Sequence, residues 1–158
     1  MTSFKRTSDL ALVRHILTEP EAYASSGDDY VQERSWFRVN EDPRIWYVLP
    51  VFDEALVLGL IMFLPRSCVL WEVHLVLLRV RHRPRGRFIL AGALRWMFEE
   101  SSALRIIAEV PACNRLAVRL ASQVMTGFGV NPHAFMKGGV MQDLVQFGVD
   151  KGELCPVL

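Results

Sequence analysis

The chain has 158 residues, 18 of them Lys or Arg and 17 Asp or Glu, and 51% are hydrophobic. That length and apolar content can bury a core without disulfide staples, and they exclude intrinsic disorder. The longest uncharged apolar run, Ala55–Leu64, falls well short of the roughly 20 residues a membrane-spanning helix needs, so it reads as a buried strand. The opening Met1-Thr2-Ser3-Phe4-Lys5-Arg6 has no apolar stretch of the secretory kind. Cys68, Cys113 and Cys155 form no CxxC pair, which leaves neither a disulfide framework nor zinc spacing. One cytoplasmic domain over residues 1–158, with no membrane partner and no metal, is the expectation.

Taken in chain order, Ser8-Asp9 is placed to cap a first helix with Leu10, Val13 and Leu17 on one stripe, ending at Pro20. Residues 20–44 are polar and rich in turn formers and read as a loop or short helix. Three apolar runs follow, Ile45–Phe52, Ala55–Leu64 and Val69–Leu78, with short separators that predict an antiparallel meander. Arg79–Gly86 is a basic turn. Phe88, Leu90, Ala91, Leu94, Met97 and Phe98 then recur at helical period. Arg105–Val110 is a short strand, Asn114 opens another helix that Gly127 closes, and 140–149 is a last strand. The predicted class is α+β, a mixed, mostly antiparallel sheet flanked by helices.

The near-zero net charge hides an asymmetry. Residues 1–54 hold six basic and ten acidic side chains, whereas residues 66–95 hold seven arginines and one acid, Glu72. Arginine is the better bidentate binder of phosphate, so a phosphate-bearing partner is the first functional expectation. Nucleic acid ranks last among such partners, because no aromatic residues interleave with the basic cluster as a stacking surface requires. Arginines at 79, 81, 83, 85 and 87, with Gly86, sit between a buried strand and a helix. A helix N-terminus offers unpaired N–H groups to an anion, and arginines close over it. The competing reading of the same cluster is a solvated basic edge that resists aggregation.

Strand alternation puts Glu72, His74, Val76 and Leu78 on one face. A Glu/His pair two residues apart suits the deprotonation of an amine, directly or through water; the competing role is a polar pair on the sheet surface. His15 and His82 read as solvated, His133 as a turn residue and Cys113 as a packed thiol. Trp71, Trp96, Met97 and Phe98 belong to the core. Trp36, Phe37, Trp46 and Tyr47 are candidates for lining a cleft, with core packing favoured for Trp46 and Tyr47.

Over residues 45–150 the sequence resembles the GNAT superfamily of N-acetyltransferases. Their acetyl-CoA loop, Gln/Arg-x-x-Gly-x-Gly/Ala, lies between a strand and a helix. Here it fits as Arg81-x-x-Pro84-x-Gly86 or as Arg83-x-x-Gly86-x-Phe88, each with one small residue replaced. The family's Glu-Val…Asn-x-x-Ala pattern is matched by Glu109-Val110 and Asn114-Arg115-Leu116-Ala117, with Gly127-Phe128 later. Asp28-Asp29, Glu72-x-His74 and Gly139-x-x-x-Asp143 look like GNAT-type proteins of tailed bacteriophages, some of which are head-assembly factors.

The resemblance implies a GNAT-like fold, acetyl-CoA as co-substrate and transfer of its acetyl group to an amine on a small molecule or protein. It places Leu78, Val80, Arg81, Arg83, Arg85, Gly86, Arg87, Phe88 and Asn114 on the cofactor, the backbone amides around Leu78 and Val80 serving thioester and pantetheine. Glu109 joins Glu72 and His74 as a base candidate. The tyrosine many members carry before Gly-Phe is absent, Ala121, Ser122 and Gln123 standing there. Homodimerisation, common in the superfamily, and phage structural proteins are the partners it implies. The acidic first third mildly favours a cationic acceptor. The alternative function is a GNAT-fold protein without catalysis, working by binding in phage assembly.

Overall fold

The computed structural model describes residues 1–30, 33–78 and 85–154. A strand β1 (Thr2–Thr7) opens the chain and is followed by helix α1 (Leu10–Leu17), whose first turn is closed by the Asp9 carboxylate accepting the Leu12 N–H at 3.0 Å. Helix α2 (Pro20–Ser26) starts on Pro20 with the Glu19 carboxylate accepting the Glu21 and Ala22 amides. After a single 3₁₀ turn at Arg34–Trp36 come β2 (Trp46–Phe52), β3 (Leu56–Val57), β4 (Gly59–Pro65) and β5 (Leu70–Leu77). Helix α3 (Gly86–Glu100), β6 (Arg105–Pro111), α4 (Arg115–Ser122), β7 (Thr126–Lys137) and β8 (Val140–Asp150) complete the order.

The α+β class and the antiparallel meander stand as expected. Four details differ. The sequence gives no sign of β1, where Phe4 is the one apolar residue. The run from Ala55 to Leu64 breaks into β3 and β4 at Leu58, whose amide turns to the Pro50 carbonyl. The helix after Asn114 ends at Ser122 rather than Gly127, and Gly127 lies within the long strand β7. That strand contains Asn131-Pro132 and bends at two register shifts, with His133 at a left-handed φ of 54° inside the second.

The eight strands make one sheet in the order β1-β2-β4-β5-β6-β8-β7, with β3 paired to β2. Every pairing is antiparallel except β5 with β6. Alternation gives the sheet two apolar faces. Val76, Leu60, Tyr47 and Leu49 pack against Val13 and Ile16 of α1. Val73, Ile61, Phe63 and Ile106 pack against Leu90, Leu94 and Met97 of α3. Trp46, Trp71 and Trp96 meet edge-on on this second face, with centroids 5.7 and 6.0 Å apart. Trp71, Met97 and Phe98 are buried and Trp96 packs on the cluster, as expected of core residues.

β5 and β6 pair only from Leu70↔Arg105 to Glu72↔Ile107, and from there they part. A clasp spans the sheet above the gap between them. The Asp29 carboxylate accepts the amides of Gly138 and Gly139 at 2.9 and 2.7 Å, both at the β7–β8 turn and both at left-handed φ. The Asp29 amide donates to the Met136 carbonyl, and Lys137 Nζ donates to the Gly27 carbonyl.

β4 and β5 approach so closely at Gly59 that a Cβ there would lie 2.0 Å from the Val76 carbonyl oxygen. Gly59→Ala must therefore push the strands apart. A loss of about 3 kcal/mol, the upper end of overpacking costs, is expected in denaturant unfolding, with the melting temperature down by roughly 6–12 °C. Gly152→Ala, where a Cβ meets nothing but φ is +103°, is the control that separates backbone strain from crowding.

Candidate active site

The phase of the β4–β5 ladder decides which backbone groups face the gap. Leu78 donates its N–H to the Leu58 carbonyl at 2.9 Å, and Arg66 donates to the Leu70 carbonyl at 2.9 Å. Even-numbered residues of β5 therefore bond to β4, and the amides of Leu75 and Leu77 point the other way, past the last β6 pairing. This corrects the sequence assignment of Leu78: its amide is taken. Val80 lies outside the described residues, as do Arg81, His82, Arg83 and Pro84. The donors that the strand offers to the gap are those of Leu75 and Leu77. The alternation was visible in the sequence, but its phase needed the partner strand.

The gap opens into a cavity of about 490 Å³ that runs from one face of the sheet to the other. Val73–Val76 and Ala108–Pro111 form its two walls. On the α3/α4 face it is lined by Leu90, Ala117, Leu120, Ala121 and Met125. On the α1/α2 face it is lined by Leu17, Tyr23, Phe37, Tyr47, Met62 and Leu64.

His74 and Glu109 both line this cavity, one from each wall. Their neighbours in alternation, Val73 and Ala108, belong to the α3-side core, so both side chains are on the α1/α2 face. Glu109 Oε1 accepts the Gln146 side-chain amide at 2.8 Å. His74 Nε2 lies 2.8 Å from Glu72 Oε1. In the neutral ring the Nε2 proton goes to that carboxylate and Nδ1 carries the lone pair, an assignment that follows from the hydrogen bond.

Glu72 is only 4% exposed and sits at the apex, in the last pair before the strands part. Its Oε2 accepts Arg66 Nε at 2.6 Å. Burial pushes the Glu72 carboxyl up, but hydrogen bonds and charge from His74 and Arg66 outweigh it and hold the group below its ordinary value. An ionised carboxylate paired twice is a poor proton acceptor. Glu72 is thus buried and positions His74, rather than lying as a polar pair on the sheet surface.

At the α3 end, Gly86 begins the helix, and a Cβ there would come 3.2 Å from Leu77 and 3.4 Å from Leu120. Among the described residues no side chain caps this N-terminus, and a helix start offers its first amides to an anion. The Arg85 guanidinium lies 4.4 Å above the Phe52 ring, while Arg87 and Phe88 are exposed. Asn114 lines the cavity and caps α4 by accepting the Ala117 amide.

Of the four aromatic residues in the sequence flanking the polar segment, Phe37 and Tyr47 line the cavity. Trp36 is exposed and off it, and Trp46 packs on the opposite face. Tyr23 of α2 was not foreseen; it meets Phe37 edge-on at 6.2 Å. Cys113 is exposed, contrary to the expected packed thiol, because the turn before Asn114 carries it outward. Among the described residues no group of three or more His, Cys, Asp or Glu is arranged to hold a metal, and no helix is long and apolar enough to cross a membrane.

Because the folded-state pKa of Glu72 is depressed, its stabilisation is full above the unfolded glutamate value of about 4.3 and fades as pH falls through the folded value. Glu72→Gln is expected to cost about 2–3 kcal/mol at pH 7, a buried-pair cost reduced because Arg66 and His74 are partly exposed. In urea titrations the difference between the two proteins should shrink steadily below pH 4. A constant difference down to pH 2 would mean that the carboxylate is not ionised in the fold.

No family model matches the sequence, and no curated protein matches it. Solved structures do match in fold. A spermidine N-acetyltransferase from Vibrio cholerae, in complex with CoA and spermine, superimposes with a TM-score of 0.76 at 14% identity, covering 96% of each chain. The structure of yncA from Salmonella typhimurium with its cofactor acetyl-CoA gives 0.69 at 16% identity, over 99% of this chain and 98% of that one. A protein provisionally assigned as a phosphinothricin N-acetyltransferase gives 0.70 at 17% identity, over 97% of this chain and 100% of the other. The fold is thus GNAT-like, a mixed eight-stranded sheet flanked by helices, as the sequence motifs implied.

Proposed function

We propose that this chain is an acetyl-CoA-dependent N-acetyltransferase in which both substrates meet in the gap between β5 and β6. One observation carries the reading. The edge of β5 at Leu75 and Leu77 is left unpaired by β6, and Leu75 lines a cavity whose acceptor face presents His74 and Glu109.

The residues present fit acetyl-CoA. An unpaired strand edge binds an extended chain with its own amides, as a further strand does, which suits a pantetheine arm lying along Leu75 and Leu77. The α3 N-terminus with Gly86, Arg87 and Phe88 suits a diphosphate. Arg81, Arg83 and Arg85 are the arginines proposed to close over it, Arg85 by leaving the Phe52 ring. Asn114 holds the start of α4 against the same cavity. The bound co-substrate supplies an activated acetyl thioester. Leu75 N–H is placed to meet the carbonyl oxygen as negative charge develops there.

His74 Nδ1 accepts the proton the amine must lose, directly or through a water, and the Glu72 carboxylate fixes the ring that does so. Glu109 holds the ammonium on the opposite wall and is the second base candidate. The amine nitrogen forms its bond to the acetyl carbon and the carbon–sulfur bond breaks. An alkyl thiolate, with a pKa of about 8.5 for cysteine's, leaves without a dedicated acid. This accounts for an α4 wall of Ala117, Leu120 and Ala121 with no tyrosine.

Calorimetry on the full chain is expected to show saturable binding of acetyl-CoA, weaker binding of ATP, and weakening in an Arg81/Arg83/Arg85 triple-alanine variant. His74→Ala should lower kcat by about 10²- to 10⁴-fold, the usual worth of a general base, with acetyl-CoA affinity unchanged. Acetyl-CoA binding with no amine acetylated would leave a binding protein on this fold. Absence of binding at millimolar acetyl-CoA would overturn the proposal.

A further inference from the structure

Resting on the reading above, we infer that the acceptor is a compact monoamine whose body is apolar and carries an aromatic ring, rather than a polyamine. The first third of the chain is acidic, but none of that acid lies in the cavity. Asp9 and Glu19 cap helices, Asp29 clasps the β7–β8 turn, and Asp42 holds Arg44. Among the described residues lining the cavity, Glu109 is the one carboxylate. A polycation would need several, since each buried ammonium must be paired.

Several of the remaining polar groups on the acceptor face already bond within the protein. Tyr47 donates its hydroxyl to the Asn40 carbonyl at 2.7 Å, and the Asn40 side chain accepts the Asp42 amide. Ser25 donates to the Ala22 carbonyl, and Arg38 Nη1 to the carbonyls of Ser35 and Phe37. What this wall presents inward is ring and hydrocarbon: Tyr23, Phe37 and Tyr47 with Leu17, Met62 and Leu64. One ammonium between His74 and Glu109, with a ring against Phe37, matches the ionisable pair and the aromatic wall. The same cavity of about 490 Å³ must also take the acetyl-bearing arm, which keeps the acceptor small.

The test compares 2-phenylethylamine, spermidine and a lysine-containing peptide on the full chain, by calorimetry with the protein saturated in CoA and by turnover with acetyl-CoA. The expected result is kcat/KM and affinity at least tenfold higher for 2-phenylethylamine than for either competitor. Phe37→Ala, at a partly exposed site, should raise the KM for 2-phenylethylamine about tenfold and leave acetyl-CoA affinity unchanged. Phe37→Asp should narrow or reverse the preference over spermidine. Equal or better use of spermidine or peptide, no binding of 2-phenylethylamine, or a Phe37→Ala variant with unchanged KM would overturn the inference. Amine binding is read by calorimetry without turnover, so it is decided even if the chain proves not to acetylate. Failure of acetyl-CoA to bind counts against the proposed function instead.

Discussion

After Glu72 and Ile107 the two central strands part, and the amides that would have continued the ladder face open space. A sheet does not tolerate such a breach unless both sides are held by something else. Here β5 is anchored on β4 through its whole length, and β6 is anchored on β8 from Arg105 to Pro111. At the apex a buried carboxylate is paired on both oxygens, by Arg66 and by His74. Leaving that carboxylate without its partners would cost several kcal/mol, so the apex and the orientation of His74 are one arrangement.

The division of labour across the sheet follows from strand alternation. On one side of the gap lie the small and apolar residues of α4 and Leu90 of α3. On the other, aromatic side chains from α2, the polar segment and β2 form a wall with two ionisable groups at its inner end. His74 and Glu109 sit where these halves meet.

Much of this was legible in the sequence, and the parts that were not share a cause. Strand parity placed His74, and the Glu-Val…Asn pattern placed Glu109 and Asn114. Leu78 went wrong because the phase of its hydrogen bonds is set by Leu58, twenty residues earlier on another strand. β1 was invisible because its one apolar residue, Phe4, finds its counterpart in Gly92, where a Cβ would sit 2.9 Å from the ring. β7 was hidden by two glycines and Asn131-Pro132, residues that end strands unless bulges absorb them, as they do here. Glu72 was foreseen as chemistry but not as a buried anchor, since its partner Arg66 reaches it only across the β4–β5 turn.

The clasp between Asp29 and the β7–β8 turn has a mechanical meaning. Ser25 and Gly27, which border the cavity, lie just before Asp29, and the turn that grips Asp29 belongs to the strand farthest from β1 in the sheet. The rim of the mouth is therefore tethered to one leaf of the sheet while its floor belongs to the other. The grip uses the Lys137 ammonium, main-chain amides and a single carboxylate, whose affinity for protons those amides lower. The width of the entrance is thereby tied to the spacing of the two leaves, through Asp29 and Lys137.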